Sequence, residues 1–249
     1  MPTRNETLNT PPFIETARMP DDAIIRAVDV HKTYNSGAVN VHALRGVNLA
    51  IERGEMAAIM GPSGCGKTTL LNCFSGLDDV TSGDVRIEGV SLSAMNDDEK
   101  SRYRSRRMGF VFQSYNLLPV LTAVENVELP LLVARVPARE ARRKAIAILE
   151  DVDLGGWADH KPAQLSAGQQ QRVAIARALV NDPAIVWADE PTGNLDSETS
   201  AQIMDLLVRL NRAQRQTLVV VTHDATVSSR AHRILRMRNG QIVEETRGS

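Results

Sequence analysis

Residues 56–72 read MAAIMGPSGCGKTTLLN, an apolar run that leads through a glycine-rich stretch into helix-forming residues. The middle of this stretch, Gly61–Thr68, follows the pattern G-x-x-x-x-G-K-[ST] between an expected strand and an expected helix, which is the setting of a phosphate-binding loop. Its glycines let backbone N–H groups surround phosphate oxygens, and the start of the helix adds the positive end of a dipole. The stretch therefore predicts an α/β protein that binds a nucleoside triphosphate.

The residues of this loop have separate expected tasks. Lys67 begins the helix and is expected to reach the β- and γ-phosphates, while the hydroxyl of Thr68 is expected to bind Mg²⁺. The other nucleotide contacts expected in the loop and the first helical turn are Gly61, Pro62, Ser63, Gly64, Cys65, Gly66 and Thr69. Cys65 occupies a variable position of the pattern, so we interpret it as a small filler. A redox role is the alternative, because a thiol at a helix N-terminus can have a lowered pKa.

A second expected strand, Ala184–Ala188, leads directly into Asp189 and Glu190. A strand end of this kind places a carboxylate beside the phosphate loop, so Asp189 is expected to bind Mg²⁺ directly or through water. Glu190 takes a neighbouring position, from which it is expected to polarise a water molecule for in-line attack. Without the loop, two solvated carboxylates would be the default interpretation; the upstream loop favours the functional one.

Short apolar runs alternate along the chain with amphipathic stretches, which is typical of an α/β core with a mainly parallel sheet. The predicted buried strands are Met56–Met60, Met108–Phe112, Ala184–Ala188 and Leu218–Thr222. Between Glu198 and Gln214, apolar residues recur at i, i+3, i+4 and i+7, which predicts one buried helix face. The residues of that face are Ile203, Leu206, Leu207 and Leu210.

The remaining segments predict smaller units around this core. Residues from Ile24 to about Gly54, with Gly83–Val90, have the pattern of short antiparallel strands, and Asn239-Gly240 indicates a hairpin. Residues from 96 to about 161 are expected to form a mostly helical subdomain within one domain of residues 23–249. Together these units predict a phosphate-loop NTPase with a mainly parallel core sheet, an antiparallel β subdomain and a helical subdomain. The proline-rich polar segment at 1–22 is expected to be a flexible arm.

The composition excludes several classes of protein. The formal net charge of -1 and the aromatic content of 4% argue against a chain whose main task is to bind nucleic acid. Cys65 and Cys73 do not form a disulfide framework and suit a reducing compartment. No apolar run approaches the roughly 18 residues of a membrane span, and the N-terminus lacks the apolar core of a signal peptide.

Residues 165–169 read LSAGQ and precede a run of strong helix formers. Ser166, followed by Gln169 three residues later, forms a capping box, so the stretch predicts the N-terminus of a helix. Free N–H groups and the helix dipole let such an end bind an anion without a lysine. The phosphate loop already supplies one anion-binding helix N-terminus. A second one would therefore serve the nucleotide held by another copy of the chain. Taken alone, the stretch favours a capped surface helix.

The motifs that resemble the ATP-binding cassette (ABC) ATPases in order and spacing are Gly61–Thr68, Gln113, LSAGQ, Asp189-Glu190 and His223. The resemblance extends from Ile24 to about Glu245. It implies a head-to-tail dimer, in which the LSAGQ of one subunit closes over ATP held by the phosphate loop of the other. Ser166, Gly168 and Gln169 are then expected to contact the nucleotide of the partner subunit.

The same resemblance implies roles for four single residues. Tyr34 matches the aromatic that stacks on adenine, and Gln113 matches the glutamine that senses Mg²⁺ and the attacking water. His223 matches the switch histidine that contacts the γ-phosphate, and Asp196 matches the aspartate that communicates across the dimer. A packing tyrosine and a capped strand-end histidine are the alternatives for Tyr34 and His223.

Ala167 departs from the family pattern, which usually reads LSGGQ. A Cβ fits at this position if the backbone φ is negative, as in a first helical turn. It clashes if the backbone must approach the phosphate closely. The departure bears on how tightly the dimer closes.

The stretches GFVFQSYNLLPVLTAVENVELPL and ADEPTGNLDS are similar to the ATPase subunits of lipoprotein-releasing and macrolide-exporter type. This similarity implies an integral-membrane permease as partner, and a cytoplasmic chain that lies peripherally on the inner face of the cell membrane. The cell-division cassette group is the alternative. DNA-maintenance ATPases of the same family carry long coiled coils or zinc modules, which are absent here. One basic run favours nucleic acid, and we interpret it as a solvated face: Arg102, Arg104, Arg106 and Arg107.

Overall fold

The structure is a computed structural model, and it describes residues 23–37 and 39–248. The predicted flexible arm at 1–22 lies outside the described residues. The strands are β1 (Ala23–Ser36), β2 (Val39–Glu52), β3 (Met56–Met60), β4 (Ser82–Ile87), β5 (Val90–Ser91), β6 (Met108–Phe112), β7 (Ile185–Asp189), β8 (Thr217–Thr222), β9 (Arg233–Arg238) and β10 (Gln241–Arg247). The α-helices are α1 (Lys67–Phe74), α2 (Asp97–Arg107), α3 (Ala123–Val133), α4 (Ala138–Asp151), α5 (Ala167–Leu179), α6 (Ser197–Gln214) and α7 (Ala225–Ser228).

A six-stranded sheet forms the core, in the order β10-β9-β3-β8-β7-β6. Strands β9, β3, β8, β7 and β6 run parallel to one another, and β10 is antiparallel to β9. The predicted α/β fold with a mainly parallel core sheet is therefore confirmed. Because parallel strands end at the same edge, the loops that follow β3, β6, β7 and β8 lie together, and ligands of such folds bind at that edge.

The four predicted core strands are confirmed with ends that match to within one residue. Strands β3 and β6 have the predicted bounds, β7 lies one residue later, and β8 begins one residue earlier. Every residue of β3 is buried, since Met56 and Ala58 enter the core shared with α5 and α6, while Ala57 and Ile59 enter the core shared with α1. A strand that is covered on both faces reads as a continuous apolar run in the sequence.

A second sheet has the order β2-β1-β4-β5 and is antiparallel throughout. The expectation of short strands is wrong for β1 and β2, each of which has 14 residues. Register shifts interrupt their pairing, for example between Ala27 and Val30, and such bulges bend a long strand. Each bulge also breaks the alternation of apolar and polar residues, so one bent strand resembles several short ones in the sequence.

Helices α3, α4 and α5 pack against one another beside the core sheet. The stretch from 96 to 161, expected to be mostly helical, holds α2, α3 and α4 together with the core strand β6. The C-terminal end of α5 is joined to β6. There, Gly109 of β6 packs so closely on Ala178 that a Cβ added to Gly109 would overlap the Ala178 carbonyl. Just beyond α5, the side chain of Asn181 donates a hydrogen bond to the carbonyl of Ser105 on α2 over 2.9 Å.

The arginines of α2 are only partly a solvated face. Arg102 and Arg106 are exposed, as expected. Arg104 instead donates to the carbonyl of Gly76, and Arg107 pairs with the carboxylate of Glu88. Because these two guanidinium groups are bound by neighbouring protein atoms, the interpretation is wrong for Arg104 and Arg107.

Two further predictions are confirmed at the periphery. The predicted apolar face of α6 is buried at all four positions: Ile203, Leu206, Leu207 and Leu210. Strands β9 and β10 form the predicted hairpin through Asn239 and Gly240, whose φ angles of 50° and 79° are those of a type I′ turn.

Candidate nucleotide site

Four loops meet at the carboxyl edge of the core sheet. Pairing of β3 with β8 places Met60 beside Thr222, and pairing of β7 with its two neighbours places Asp189 beside Val221 and Phe112. The residues that directly follow these four strands therefore form one cluster. They are Gly61 after β3, Gln113 after β6, Glu190 after β7 and His223 after β8.

The phosphate loop ends in a helix start that is free to bind an anion. Gly66 is the N-cap of α1 with a φ of 104°, and no side chain caps its N–H groups. A Cβ on Gly66 would lie 2.5 Å from the carbonyl oxygen of Ala43, so both the conformation and the space require glycine. The amine of Lys67 donates to the carbonyls of Gly61 at 2.9 Å and Pro62 at 3.1 Å, which holds it over the loop. Cys65 is buried, which favours its interpretation as a filler.

Asp189 carries an unpartnered buried oxygen at the end of β7. Its Oδ1 makes no hydrogen bond, although it is buried. Burial and the adjacent Glu190 raise the pKa of this carboxyl, while Lys67 and a hydrogen bond from Thr68 oppose the shift. A buried carboxylate oxygen next to a hydroxyl fits Mg²⁺, which takes few protein ligands and completes its shell with phosphate and water. The described residues contain no cluster of three His, Cys, Asp or Glu that could hold a metal alone.

Glu190 and His223 form a pair beside that carboxylate. Nδ1 of His223 lies 2.9 Å from Oε1 of Glu190, and the histidine side chain is 70% exposed against 19% for the glutamate. Glu190 has a φ of 45°, a left-handed conformation that costs a non-glycine residue about 1–3 kcal/mol. Hydrogen bonds of its backbone with Val221 and Gly193 hold this conformation. At this backbone position the carboxylate of Glu190 lies beside the ring of His223, at the edge where the loops meet.

Gln113 is bound to a residue that the sequence analysis missed. Its side-chain amide lies 3.3 Å from Oδ1 of Asn194, and the amide of Asn194 donates to the carbonyl of Gln113 at 3.0 Å. Two and three residues after Gln113, Tyr115 and Asn116 both have left-handed φ angles, of 59° and 49°. Their carbonyls accept hydrogen bonds from the guanidinium of Arg177 on α5, at 2.7 Å for Tyr115. Arg177 therefore joins α5 to the segment after Gln113.

Tyr34 lies on β1, and the residue is 39% exposed. Its hydroxyl donates to Oδ2 of Asp78 at 2.7 Å, and the amine of Lys32 lies over the ring, 4.8 Å from the centroid. Burial alone would raise the pKa of Asp78, but hydrogen bonds from Lys32 and Tyr34 hold it below its usual value. No spacing in the sequence indicates Asp78 or Lys32, because they approach Tyr34 only through the fold.

The LSAGQ stretch forms the predicted capping box at the start of α5. The hydroxyl of Ser166 accepts from the N–H of Gln169 at 3.3 Å, and the side chain of Gln169 accepts from the N–H of Ser166 at 2.8 Å. Ser166 and Ala167 are exposed, and Ala167 has ordinary helical backbone. Gly168 packs on α6, where its Cβ would lie 2.6 Å from Cγ2 of Thr199. Among the residues that the structure describes, no hydrogen bond joins this stretch to the phosphate loop.

Asp196 caps α6 next to that contact. One carboxylate oxygen accepts from the N–H of Thr199 at 2.9 Å, and the other accepts from its hydroxyl at 2.7 Å. Thr199 thus touches both Asp196 and Gly168, so the two stretches expected to face a partner subunit are in direct contact within the chain.

No helix in the described part of the chain has the length and apolar character needed to cross a bilayer.

Comparison with known proteins agrees with this geometry. The family model described as ABC transporter matches residues 44–193. The chain is 47% identical over 225 residues to the lipoprotein-releasing system ATP-binding protein LolD of Pseudomonas fluorescens, a match that covers 90% of this chain and 99% of LolD. It is 48% identical over 223 residues to the macrolide export ATP-binding/permease protein MacB of Brucella melitensis, covering 90% of this chain but 34% of MacB.

A solved structure has the same fold. The ATP-binding cassette MJ0796, a dimer in a post-hydrolysis state bound to ADP and Pi, matches with a TM-score of 0.83 at 46% identity, over 90% of this chain and 98% of MJ0796. MJ0796 is the protein of Methanocaldococcus jannaschii. With a family model that spans more than half of its length and relatives of this similarity, the chain belongs to the ABC transporter family, as one of its ATP-binding and ATP-hydrolysing proteins.

Proposed function

We propose that this chain is the ATPase subunit that powers a separate integral-membrane permease, for export or for mechanical work directed at the cell envelope. The observation that carries the ATPase part is the convergence of Lys67, Asp189, Glu190 and His223 at one edge of the core sheet. Similarity to LolD over nearly its whole length supports the transport branch. The chain would then act from the cytoplasm, at the inner face of the membrane.

The nucleotide would be bound at both of its ends. Backbone N–H groups of Gly61–Gly66 would surround the phosphates, and Lys67, now hydrogen-bonded to two loop carbonyls, would turn to the β- and γ-phosphates. The exposed ring of Tyr34 would stack on adenine. Thr69, in the first turn of α1, follows the loop directly.

Thr68 and Asp189 are the residues that would hold Mg²⁺, with Gln113 near it through water. When bound, the ion neutralises charge on the β- and γ-phosphates. The unpartnered Oδ1 of Asp189 supports this assignment, because a buried carboxylate oxygen without a partner is costly unless a ligand satisfies it.

Glu190 would act as the general base for hydrolysis. Its carboxylate accepts a proton from the attacking water, and the ring of His223 holds that carboxylate by the 2.9 Å contact. The exposed remainder of the His223 ring would reach the γ-phosphate. The left-handed backbone at Glu190, held by its hydrogen bonds with Val221 and Gly193, would help to keep the carboxylate in that position.

A second copy of the chain would complete the site. In the capping box, Ser166 and Gln169 satisfy each other, which leaves the N–H groups of Ala167 and Gly168 free at the helix start. These donors would meet the γ-phosphate of ATP that the partner subunit holds. The dimeric state of MJ0796 supports this arrangement.

The permease would dock beside Gln113. Leu118 is 45% exposed and Val120 is 73% exposed, although both are apolar. The backbone beneath them is held by the buried Asn126, which bonds to both backbone groups of Leu118 and to the carbonyls of Leu121 and Thr122. Exposed apolar side chains on a fixed backbone are typical of a protein-binding surface.

Photo-crosslinking in whole membranes tests this function. A crosslinker at Val120 should capture an integral-membrane protein, while a crosslinker at Val243, which is 51% exposed on β10, serves as the matched control. In parallel, ATPase activity is measured with solubilised permease, with lipid and with DNA. Capture at Val120 and stimulation by the permease support the proposal. Equal capture at both positions, with stimulation by DNA alone, would overturn it in favour of a DNA-maintenance ATPase.

A further inference from the structure

The Asp78 carboxylate has no task in the chemistry proposed above, yet both of its oxygens accept hydrogen bonds. Oδ2 accepts from the Tyr34 hydroxyl at 2.7 Å, and Oδ1 accepts from the Lys32 amine at 2.6 Å. The N–H of Asp79 donates to Oδ1 at 2.8 Å. The carboxylate thus binds two side chains of β1 at once.

The backbone of Asp78 is fixed to the helix that follows the phosphate loop. The N–H groups of Leu77 and Asp78 both donate to the carbonyl of Asn72 on α1, at 2.8 and 3.1 Å. Lys32 strengthens the same junction, because its amine also donates to the carbonyl of Asp79 at 2.7 Å. Any shift of β1 relative to α1 would therefore stretch charge-assisted hydrogen bonds, which are stronger than neutral ones.

The side chains of Asp78 and Lys32 hold the Tyr34 ring from two sides. Its hydroxyl is bound to Asp78, and one face of the ring lies under the Lys32 amine. The side chain of Thr69 on α1 also interacts with the Tyr34 hydroxyl. A tyrosine on a surface strand otherwise rotates about two side-chain bonds, so these contacts select one orientation before any base arrives.

We propose that Asp78, together with Lys32, is a positioning residue for ATP binding that sets the Tyr34 ring at a fixed distance from the phosphate loop. The inference rests on the proposed stacking of adenine on Tyr34. The loop belongs to the core sheet and Tyr34 belongs to the antiparallel sheet, so their spacing depends on contacts between the two, among them the Arg45–Gly240 backbone bond and the bonds of Asp78. With the bonds of Asp78 in place, one nucleotide engages the Tyr34 ring and the phosphate loop together, without first ordering either.

The expected role of Asp78 concerns the base of ATP and not its phosphates, so the test compares a ligand that has the base with one that lacks it. Binding of ATP and of inorganic tripolyphosphate, which has no base, is measured by calorimetry in the presence of Mg²⁺. The variants are Asp78→Asn, Lys32→Met and Tyr34→Ala. The matched control is Asp84→Asn, since Asp84 is a carboxylate of the same sheet that bonds to Arg86 and Ser91 and not to Tyr34.

We expect Asp78→Asn to weaken ATP binding by about three- to tenfold and Tyr34→Ala by about tenfold or more, within the range of a base–aromatic stack. Tripolyphosphate binding should not change in either variant. Lys32→Met should act in the same direction as Asp78→Asn and provides the test if that variant does not fold. In the Tyr34→Ala background, Asp78→Asn should add no further loss, because the two residues act as one unit.

Three results would decide against the inference or its basis. If Tyr34→Ala weakens ATP binding while Asp78→Asn and Lys32→Met do not, the inference fails and the stacking role of Tyr34 stands. If Asp78→Asn weakens ATP and tripolyphosphate equally, its effect is general loss of structure and the inference fails. If Tyr34→Ala leaves ATP binding unchanged, the proposed stacking itself is wrong.

Discussion

The two helix starts of the proposed site, at Lys67 and at Ala167, differ in how much of the site their own chain supplies. The first is enclosed: Gly66 lies against Ala43, the Lys67 amine is held over the loop, and Asp189 is buried beside it. The second is exposed, and its capping box bonds only to itself. Both offer free N–H groups to an anion, but only one has a lysine and a carboxylate within the chain.

Because of this difference, we expect the helix start at Lys67 to determine ATP binding and the helix start at Ala167 to determine ATP hydrolysis in the dimer. Because the enclosed start contains the lysine and the expected Mg²⁺ ligands, we expect a single chain to be sufficient to bind a nucleotide. The exposed start would add donors for a γ-phosphate that it does not hold alone, so we expect it to act only when a second copy brings one. Removing residues from the enclosed start should weaken binding or chemistry in the same chain, whereas removing them from the exposed start should affect the partner's nucleotide.

The largest effect is expected at the enclosed start, from Glu190→Gln. Loss of the general base should lower turnover by roughly 10²-fold or more, while ATP binding persists because Lys67 and Asp189 are intact. Steady-state ATPase assays and ATP titration of the same preparation give both quantities. The isosteric amide keeps the size of the side chain beside His223, so a general loss of structure is not expected. Wild-type turnover in this variant would remove Glu190 from the role.

A smaller but more telling effect is expected at the exposed start, from Ser166→Arg. This change should lower ATPase activity by at least about tenfold by blocking the dimer, and leave ATP binding to the monomer nearly unchanged. Lys67→Ala should also be inactive, but because it loses contacts with the nucleotide bound by its own chain, while its LSAGQ stretch stays intact.

Mixing these two inactive variants sharpens the test. In a mixed dimer, one site pairs the intact Lys67 with the intact Ser166, and the other site carries both changes. Hydrolysis in the mixture would show that the two starts act in different chains. If Ser166→Arg loses as much monomer ATP affinity as Lys67→Ala does, the LSAGQ stretch serves its own chain. The two helix starts would then not divide their tasks between two chains.

Gly168→Ala distinguishes packing within the chain from contact with the partner. The added Cβ would lie 2.6 Å from Cγ2 of Thr199, whose hydroxyl is bound to Asp196 and cannot turn freely. Overpacking costs about 1–3 kcal/mol and the helix gains at most about 1 kcal/mol from alanine, so urea unfolding should show a net loss of about 1 kcal/mol. Gly168→Ala with Thr199→Ser removes the methyl and should restore stability. If no stability is lost in the single variant, the packing explanation is wrong.

The smallest effect is expected from Ala167→Gly, which restores the usual family residue. Ala167 is exposed in helical backbone, so removing its Cβ should lose little packing within its own chain, and the glycine costs the helix about 0.5–1 kcal/mol. In the Glu190→Gln background, ATP-driven dimerisation measured by sedimentation should change by less than about threefold. Dimers that tighten by tenfold or more would show that the Cβ of Ala167 meets the partner's phosphate.

Much of this architecture could be predicted from the sequence, because burial on both faces leaves continuous apolar runs such as 56–60 and 108–112. The capping box at Ser166 could also be predicted, since its two partners are three residues apart. The length of β1 could not, because bulges interrupt its alternation.

The missed residues share one property, which is a partner distant in sequence. Asp78 binds Tyr34 across 44 positions, Arg177 binds Asn116 across 61, and Asn194 binds Gln113 across 81. None of these pairs follows a helical or strand period, so only the packed fold brings them together. A single chain's pattern can therefore indicate which residues carry the chemistry, but not which residues hold them in place.

Helix α5 connects two regions of the proposed site that lie far apart. At its C-terminal end Arg177 binds the segment after Gln113 and Ala178 packs on Gly109 of β6, while Ser166 stands at the other end, where Gly168 packs on Thr199 of α6. A helix of this length is about 20 Å long, so a rotation of about 5° about its C-terminal end would carry the Ser166 end by roughly 2 Å. That displacement exceeds the working range of a hydrogen bond. A small tilt at Gln113 would thus be enough to engage or release a phosphate at Ser166, provided that Thr199 and the Asp196 cap of α6 move with it.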